Sequence, residues 1–91
     1  MDSMHLEVRG RVQGVGFRWY VAEAARELRL AGWVKNRRDG NLELAAAGTS
    51  DALAKLEAAV TAGPPGARVE EVRPLERVPP DSLGYPFAIV R

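Results

Sequence analysis

Cysteine is absent from the 91 residues of this chain, and histidine occurs once, as His5. The absence of cysteine excludes a disulfide framework, a thiolate nucleophile and a cysteine-ligated metal site. A single histidine argues against a histidine-based zinc site and against a Ser-His-Asp triad. The chemistry of the chain therefore has to come from other residue types, and we expect neither a metal nor a cofactor.

Long hydrophobic runs are also absent, since no apolar stretch approaches the ~18 residues that a membrane span needs. The N-terminus has neither the basic region nor the apolar core of a secretion signal, so we expect a cytoplasmic protein that binds no membrane. The charges nearly cancel, with 13 Lys and Arg against 12 Asp and Glu. This balance is too small for a sequence-independent grip on nucleic acid.

The remaining composition, 46% hydrophobic and 27% charged, excludes a disordered chain and is typical of a globular protein. The length favours a single domain over residues 1–91. Alternating apolar positions predict strands at residues 5–12, 33–37, 42–46, 68–78 and 87–91.

Apolar residues at a helical period predict two helices. The first begins at Phe17, with Gly32 expected at its C-terminal cap. The second follows a cap at Thr49 or Ser50 and ends before Gly63. The order β-α-β-β-α-β plus a terminal strand indicates an α+β, ferredoxin-like split βαβ fold. We expect both helices on one face of the sheet, the strand order 4-1-3-2, and a bulge near residues 70–71.

Two glycines, Gly14 and Gly16, lie between the first strand and the first helix. Such a turn directs backbone N–H groups and a helix N-terminus at one point, where an anion can bind. Arg18 would add a guanidinium there. A cation is unfavourable at the N-terminus of an isolated helix, and a bound anion would compensate for it. On these features alone, an ordinary turn with a surface arginine is the alternative.

The fold predicts that Asn36 lies near this turn, because the carboxyl ends of the first and second strands emerge at the same edge of the sheet. Asn36 shares the parity of Val34, so its side chain should face the helices. No nucleotide-binding loop accompanies this pair. The sequence lacks the G-x-x-x-x-G-K-[ST] pattern and the third glycine of a dinucleotide fingerprint.

Other side chains receive plainer interpretations. Phe17 and Trp33 are expected in the core or in a pocket wall, where they could contact a bound group. His5 is expected to be exposed on the polar face of the first strand. Arg91 is expected to pair with a carboxylate and has no catalytic role. Three cations are expected on a solvated strand and hairpin, from which they could steer an anion: Lys35, Arg37 and Arg38.

Residues 10–18 (GRVQGVGFR) closely resemble the first signature of the acylphosphatase family, and residues 32–40 (GWVKNRRDG) resemble the second. Residues 63–69 (GPPGARV) and the terminal Phe87-x-Ile89 are also similar to that family. The resemblance runs from about Leu6 to the end of the chain. Leu42 departs from the valine that is usual there, and this apolar exchange touches no residue that would act.

The resemblance implies an enzyme, an acylphosphatase, that hydrolyses small acyl phosphates to a carboxylate and inorganic phosphate without a metal. In this family the arginine of the first motif binds the phosphate and the asparagine of the second places the attacking water. These roles fall on Arg18 and Asn36. The cradle would be completed by the main-chain amides of Gln13, Gly14, Val15, Gly16 and Phe17. Inorganic phosphate would be both product and inhibitor, and we expect a monomer.

Two other functions compete with this one. The same fold acts on carbamoyl phosphate within larger maturation proteins, a role that usually belongs to longer, fused chains. The other alternative is a non-catalytic ferredoxin-like module that binds a phosphate, another ligand or RNA. RNA-recognition domains stack bases on aromatic residues of the central strands, and the first and third strands here have no aromatic in their apolar positions.

Overall fold

The computed structural model describes every residue from Met1 to Arg91. Its strands are β1 (Asp2–Arg11), β2 (Ala31–Asn36), β3 (Leu42–Gly48), β4 (Arg68–Pro74) and β5 (Ala88–Ile89). Its helices are α1 (Phe17–Glu27), α2 (Ser50–Ala62) and the short 3-10 helix Pro80–Ser82. The order of elements is the predicted one. No helix is both long enough and apolar enough to cross a membrane.

The five strands form one sheet in the order β4-β1-β3-β2-β5. β3 lies between β1 and β2 and is antiparallel to both, with Leu42 opposite Val8 on one side and Asn36 on the other. β5 runs parallel to β2 and places Ile89 opposite Val34. The predicted ferredoxin-like arrangement is confirmed, and β5 adds a fifth strand beside β2.

The hydrophobic core lies between the sheet and the two helices, both on one face of it. Alternate residues of β1 and β3 meet the buried stripes of α1 and α2, as the sequence periods predict. The fully buried large side chains are Phe17, Phe87, Leu30, Leu42, Leu44, Leu56, Val8, Val12, Val21, Val34 and Val60. Thr49 caps α2, because its Oγ1 accepts the Ala52 N–H at 3.1 Å.

The opposite face of the sheet is covered by the segment between Pro74 and Gly84. The sequence predicts a fourth strand as far as Val78, but β4 ends at Pro74 because the chain then crosses β1 and β3 towards β2. Ser3 Oγ donates to the carbonyl oxygen of Val78 at 2.6 Å, and the Gly32 N–H donates to that of Gly84 at 2.9 Å.

This crossing segment makes the expectation of an exposed His5 wrong. His5 Nδ1 donates to the carbonyl oxygen of Glu76 at 2.7 Å, and Nε2 lies 2.6 Å from Glu43 Oε2. The side chain of His5 is 15% exposed. Ala45 and Ala47, on the same face, are fully buried. Both faces of the central strands are therefore covered, one by helices and the other by an irregular segment.

The C-terminal end of α1 differs from the prediction. Arg29, with φ of 58°, takes the left-handed position expected for Gly32. The Arg29 N–H donates to Arg26 O and the Leu30 N–H to Ala25 O, a Schellman arrangement. Gly32 lies within β2, where a Cβ would stand 1.9 Å from the carbonyl oxygen of Ala45. The glycine is needed for close approach of two strands, and the helix ends without it.

The predicted bulge is confirmed in the ladder between β1 and β4. Arg9 pairs with Glu71 and Gly10 with Val69, so Glu70 is the extra residue. The change of register brings Val69 and Val72 to the same side despite their different parity, and both pack against the core.

Candidate active site

The turn between β1 and α1 has the backbone conformation that the two glycines predict. Gly14 and Gly16 both have φ of 75°. A Cβ at either position would meet no atom within 4 Å, so glycine is required by the left-handed backbone and not by lack of space. Gly16 is the N-cap of α1, no side chain caps the helix, and its first turn has no acidic residue. The first N–H groups of α1 are therefore free to bind an anion.

A cavity of about 380 Å³ opens at this turn. Its walls are Val12, Gly14, Gly16, Phe17, Arg18, Trp19, Asn36, Ile89 and Arg91. Arg18 and Asn36, which come from different elements of the chain, line the same cavity. They meet because β1 and β2 are each antiparallel to β3 and end at the same edge of the sheet.

Neither Arg18 nor Asn36 has the partner within the protein that such a side chain usually has. No carboxylate lies within ion-pair distance of Arg18, a half-buried side chain in the first turn of α1. The carboxamide oxygen of Asn36 is buried and has no hydrogen-bond partner. Because buried polar atoms are nearly always paired, an unpaired carboxamide oxygen in a residue that lines a cavity marks Asn36 as a candidate functional residue.

Two residues of the predicted cradle do not line the cavity. Val15 packs against the hydrophobic core. The side chain of Gln13 reaches the β2–β3 hairpin, where Nε2 donates to the carbonyl oxygens of Arg37 at 2.8 Å and Asn41 at 3.1 Å. The binding of an anion by their main-chain amides stays a prediction. The Gln13 side chain instead connects the glycine turn to the hairpin that follows Asn36.

The sequence interpretation of the aromatic residues needs correction at Trp33. Trp33 alternates with the buried Val34, so it lies on the second face of the sheet, the face opposite the helices, and outside the cavity. There it meets His5 edge-on at 5.8 Å between ring centroids, and Lys35 Nζ lies 5.4 Å from the centre of the indole ring. Phe17, by contrast, is both core and cavity wall, as expected.

Four cavity residues have no counterpart in the sequence interpretation of the site, and one of them, Val12, is a core residue. Trp19 follows Arg18 on α1, and Ile89 belongs to β5, whose position beside β2 only the sheet order reveals. Arg91 was expected to pair with a carboxylate, but it forms no ion pair and lines the cavity instead. For Trp19, the available signal was an apolar residue outside the buried stripe of α1.

A polar network on the second face holds the hairpin after Asn36. Glu7 accepts from Asn41 Nδ2 at 2.9 Å and from Arg73 Nη2 at 2.9 Å, and Arg37 Nε lies 3.7 Å away. The hydrogen bond from Asn41, together with Arg37 and Arg73, lowers the pKa of Glu7 although burial opposes the shift. The Asn41 backbone N–H, helped by Arg37, lowers the pKa of Asp39 in the same way.

The cations of this hairpin differ in how far they are neutralised. Burial would lower the pKa of Arg37, but Asp39, Glu7 and Glu43 outweigh burial and raise it. Lys35 lies 3.9 Å from Glu43, whereas Arg38 has no ion-pair partner. These residues line an open basin of about 520 Å³ that reaches the cavity at Asn36 and Arg91. The basin makes the approach to the cavity cationic.

Residues 4–85 match the family model described as Acylphosphatase. The chain belongs to the acylphosphatase family. A relative from Acidiphilium cryptum named acylphosphatase is 46% identical over 85 residues, which cover 93% of each chain. A crystal structure of acylphosphatase from Bacillus subtilis superimposes with a TM-score of 0.91 at 40% identity and covers 100% of both chains.

Membership of the acylphosphatase family confirms the predicted fold and the predicted enzyme class, which is the hydrolysis of acyl phosphates. It does not favour the alternative of a non-catalytic module. The chain is also similar to T. kodakarensis HypF, with a TM-score of 0.85 and 29% identity, but it spans only 12% of that protein. The match to the Bacillus subtilis acylphosphatase covers both chains in full and has the higher identity, 40%.

Proposed function

We propose that residues 1–91 act as one monomeric acylphosphatase domain whose reaction centre is the cavity between Arg18 and Asn36. The observation that carries the proposal is that Asn36, whose buried carboxamide oxygen has no hydrogen-bond partner, lines the same cavity as an arginine without a carboxylate partner. The phosphoryl group of an acyl phosphate supplies the anion that Arg18 lacks, and a water supplies the hydrogen-bond donor that Asn36 lacks.

Binding of the phosphoryl group is assigned to Arg18 and to the glycine turn. The guanidinium can donate to two phosphate oxygens at once, a geometry that lysine does not offer. The free N–H groups at the N-terminus of α1 and the positive end of its dipole favour the same anion. The cradle consists of the main-chain amides of Gln13, Gly14, Val15, Gly16 and Phe17. Inorganic phosphate carries the same oxygens and should compete with substrate.

Placement of the attacking water is assigned to Asn36. Its Oδ1 accepts a hydrogen bond from the water, and the carboxamide can donate through Nδ2. The water oxygen forms a new bond to phosphorus, and the bond from phosphorus to the acyl oxygen breaks. The carboxylate leaves with the electron pair, and both hydrogens of water remain with the phosphate product. A carboxylate is a good leaving group, so positioning and electrostatic stabilisation suffice.

Asn36→Ala tests this assignment. Loss of a positioning group in such a site lowers kcat by about 10²–10³. KM and the affinity for inorganic phosphate should stay nearly unchanged, because the interaction is made mainly in the transition state. Asn36→Asp should additionally weaken phosphate binding, since it places a negative charge beside the anion. A rise in KM with kcat intact would show that Asn36 binds substrate and does not place water.

Asn41→Ala is the matched control in the same hairpin. Its carboxamide donates a hydrogen bond to Glu7, so its loss should lower the free energy of unfolding by about 1.5–3 kcal/mol, as for other hydrogen bonds to charged groups. Asn36→Ala removes a polar atom without a partner, so stability should be unchanged or should rise. Urea denaturation of both variants separates a positioning role from a structural one.

A further inference from the structure

The outer wall of the active-site cavity is apolar. Four of its residues are hydrophobic, but Val12 and Phe17 are 1% and 2% exposed and offer almost no surface to a ligand. The accessible apolar surface comes from Trp19 and Ile89, which are 63% and 38% exposed. The most exposed large hydrophobic residues of the chain are Met1, Trp19, Tyr85 and Ile89, and two of the four line this cavity.

Neither side chain is required there by the fold. The residues that α1 buries are Phe17, Val21, Ala22 and Ala25, and Trp19 lies outside this stripe. Isolated exposed apolar residues are common on protein surfaces and need no explanation. An indole and a branched aliphatic side chain on the rim of one polar cavity are different, because together they can remove a ligand's apolar surface from water.

The cavity also has more room than a phosphoryl group needs. Its volume of about 380 Å³ corresponds to roughly a dozen water molecules at ~30 Å³ each. We infer that Trp19 and Ile89 form the subsite for the acyl group and select acyl phosphates with an aromatic or bulky apolar acyl part over those with a short one. This inference rests on the proposed function, because it assigns the phosphoryl group to the glycine turn and Arg18.

The test compares benzoyl phosphate with acetyl phosphate as substrates, and benzoylphosphonate with acetylphosphonate as non-hydrolysable inhibitors. An aromatic contact of this kind corresponds to roughly a threefold to tenfold difference in affinity. Trp19→Ala should therefore lower the benzoyl-to-acetyl ratio of kcat/KM by about that factor, and Trp19→Phe should retain part of the preference. The ratio of inhibition constants should fall in parallel, while the inhibition constant of inorganic phosphate stays the same.

Tyr85→Ala is the matched control, because Tyr85 is 66% exposed and does not line the cavity. It should leave the benzoyl-to-acetyl ratio unchanged. A ratio that Trp19→Ala leaves within twofold of the unmodified protein would overturn the subsite, and so would an equal loss in Tyr85→Ala. If the protein hydrolysed neither substrate, the proposed function would fail. The inhibition constants would still test the subsite in that case. A preference for benzoylphosphonate over acetylphosphonate that is lost in Trp19→Ala would support it.

Discussion

The side chain of Gln13 joins the glycine turn, which precedes Arg18, to the β2–β3 hairpin, which follows Asn36. Its removal gives the most specific test of how the fold positions these two parts of the site. Gln13→Ala removes the hydrogen bonds to the carbonyl oxygens of Arg37 and Asn41. Two neutral hydrogen bonds contribute about 1–3 kcal/mol together. Both carbonyls keep a second donor, the Gly40 N–H at 3.3 Å and the Arg37 N–H at 2.8 Å. We therefore expect a loss of about 1–2 kcal/mol, since no buried carbonyl is left unpaired.

The isosteric change Gln13→Glu should be worse than Gln13→Ala, although it conserves the shape of the side chain. A carboxylate cannot donate and would place a negative charge against two carbonyl oxygens. It also adds negative charge near the proposed phosphate cradle. We expect the free energy of unfolding from urea denaturation to fall in the order Gln, Ala, Glu. Because a 1 Å misplacement at a reaction centre can cost about 10²-fold in rate, kcat should fall about tenfold to hundredfold in Gln13→Ala.

Two results would refute this reasoning. If Gln13→Glu were as stable as the unmodified protein at pH 7, the hydrogen bonds of the bridge would not hold the hairpin. If Gln13→Ala were destabilised as expected but kept its full kcat, the bridge would stabilise the fold without positioning Asn36. Phosphate affinity in both variants, measured by the shift in melting temperature, shows whether the glycine turn itself is disturbed.

Four further predictions concern the bound anion, the absence of a metal requirement and the pH dependence of stability. Arg18→Lys should lower kcat/KM at least about 10²-fold, because lysine lacks the bidentate fork; near-normal turnover would remove Arg18 from its role. Inorganic phosphate should raise the melting temperature at constant ionic strength, and a chelator should leave activity unchanged. Glu7 has a pKa below its usual 4.5, so its stabilising contribution is present above that pH and is lost as pH falls through the lowered pKa. Glu7→Gln should therefore show a shallower loss of stability in acid, and an unchanged slope would contradict the assignment.

Local sequence patterns determined most of the architecture of this protein. Alternation in β1 and β3 and the helical period of α1 and α2 report which residues share a face, because side-chain direction repeats at 2.0 and 3.6 residues. The glycine turn was readable for the same reason, since Gly14 and Gly16 adopt a backbone conformation that other residues avoid. Right-handed crossovers then bring Arg18 and Asn36 to one edge of the sheet.

Only the tertiary structure decided what covers each face of the sheet and which side chains reach the cavity. His5 was predicted to be exposed and Trp33 to lie in the core or in a pocket wall, but the two rings contact each other on the face of the sheet that the segment between Pro74 and Gly84 crosses. Arg29 took the left-handed position after α1, and Gly32 serves instead where β2 closely approaches Ala45. Trp19, Ile89 and the Gln13 bridge depend on elements that are distant in sequence. Periodicity records the direction of a side chain from its own backbone, whereas burial and contact depend on which distant segment packs against it.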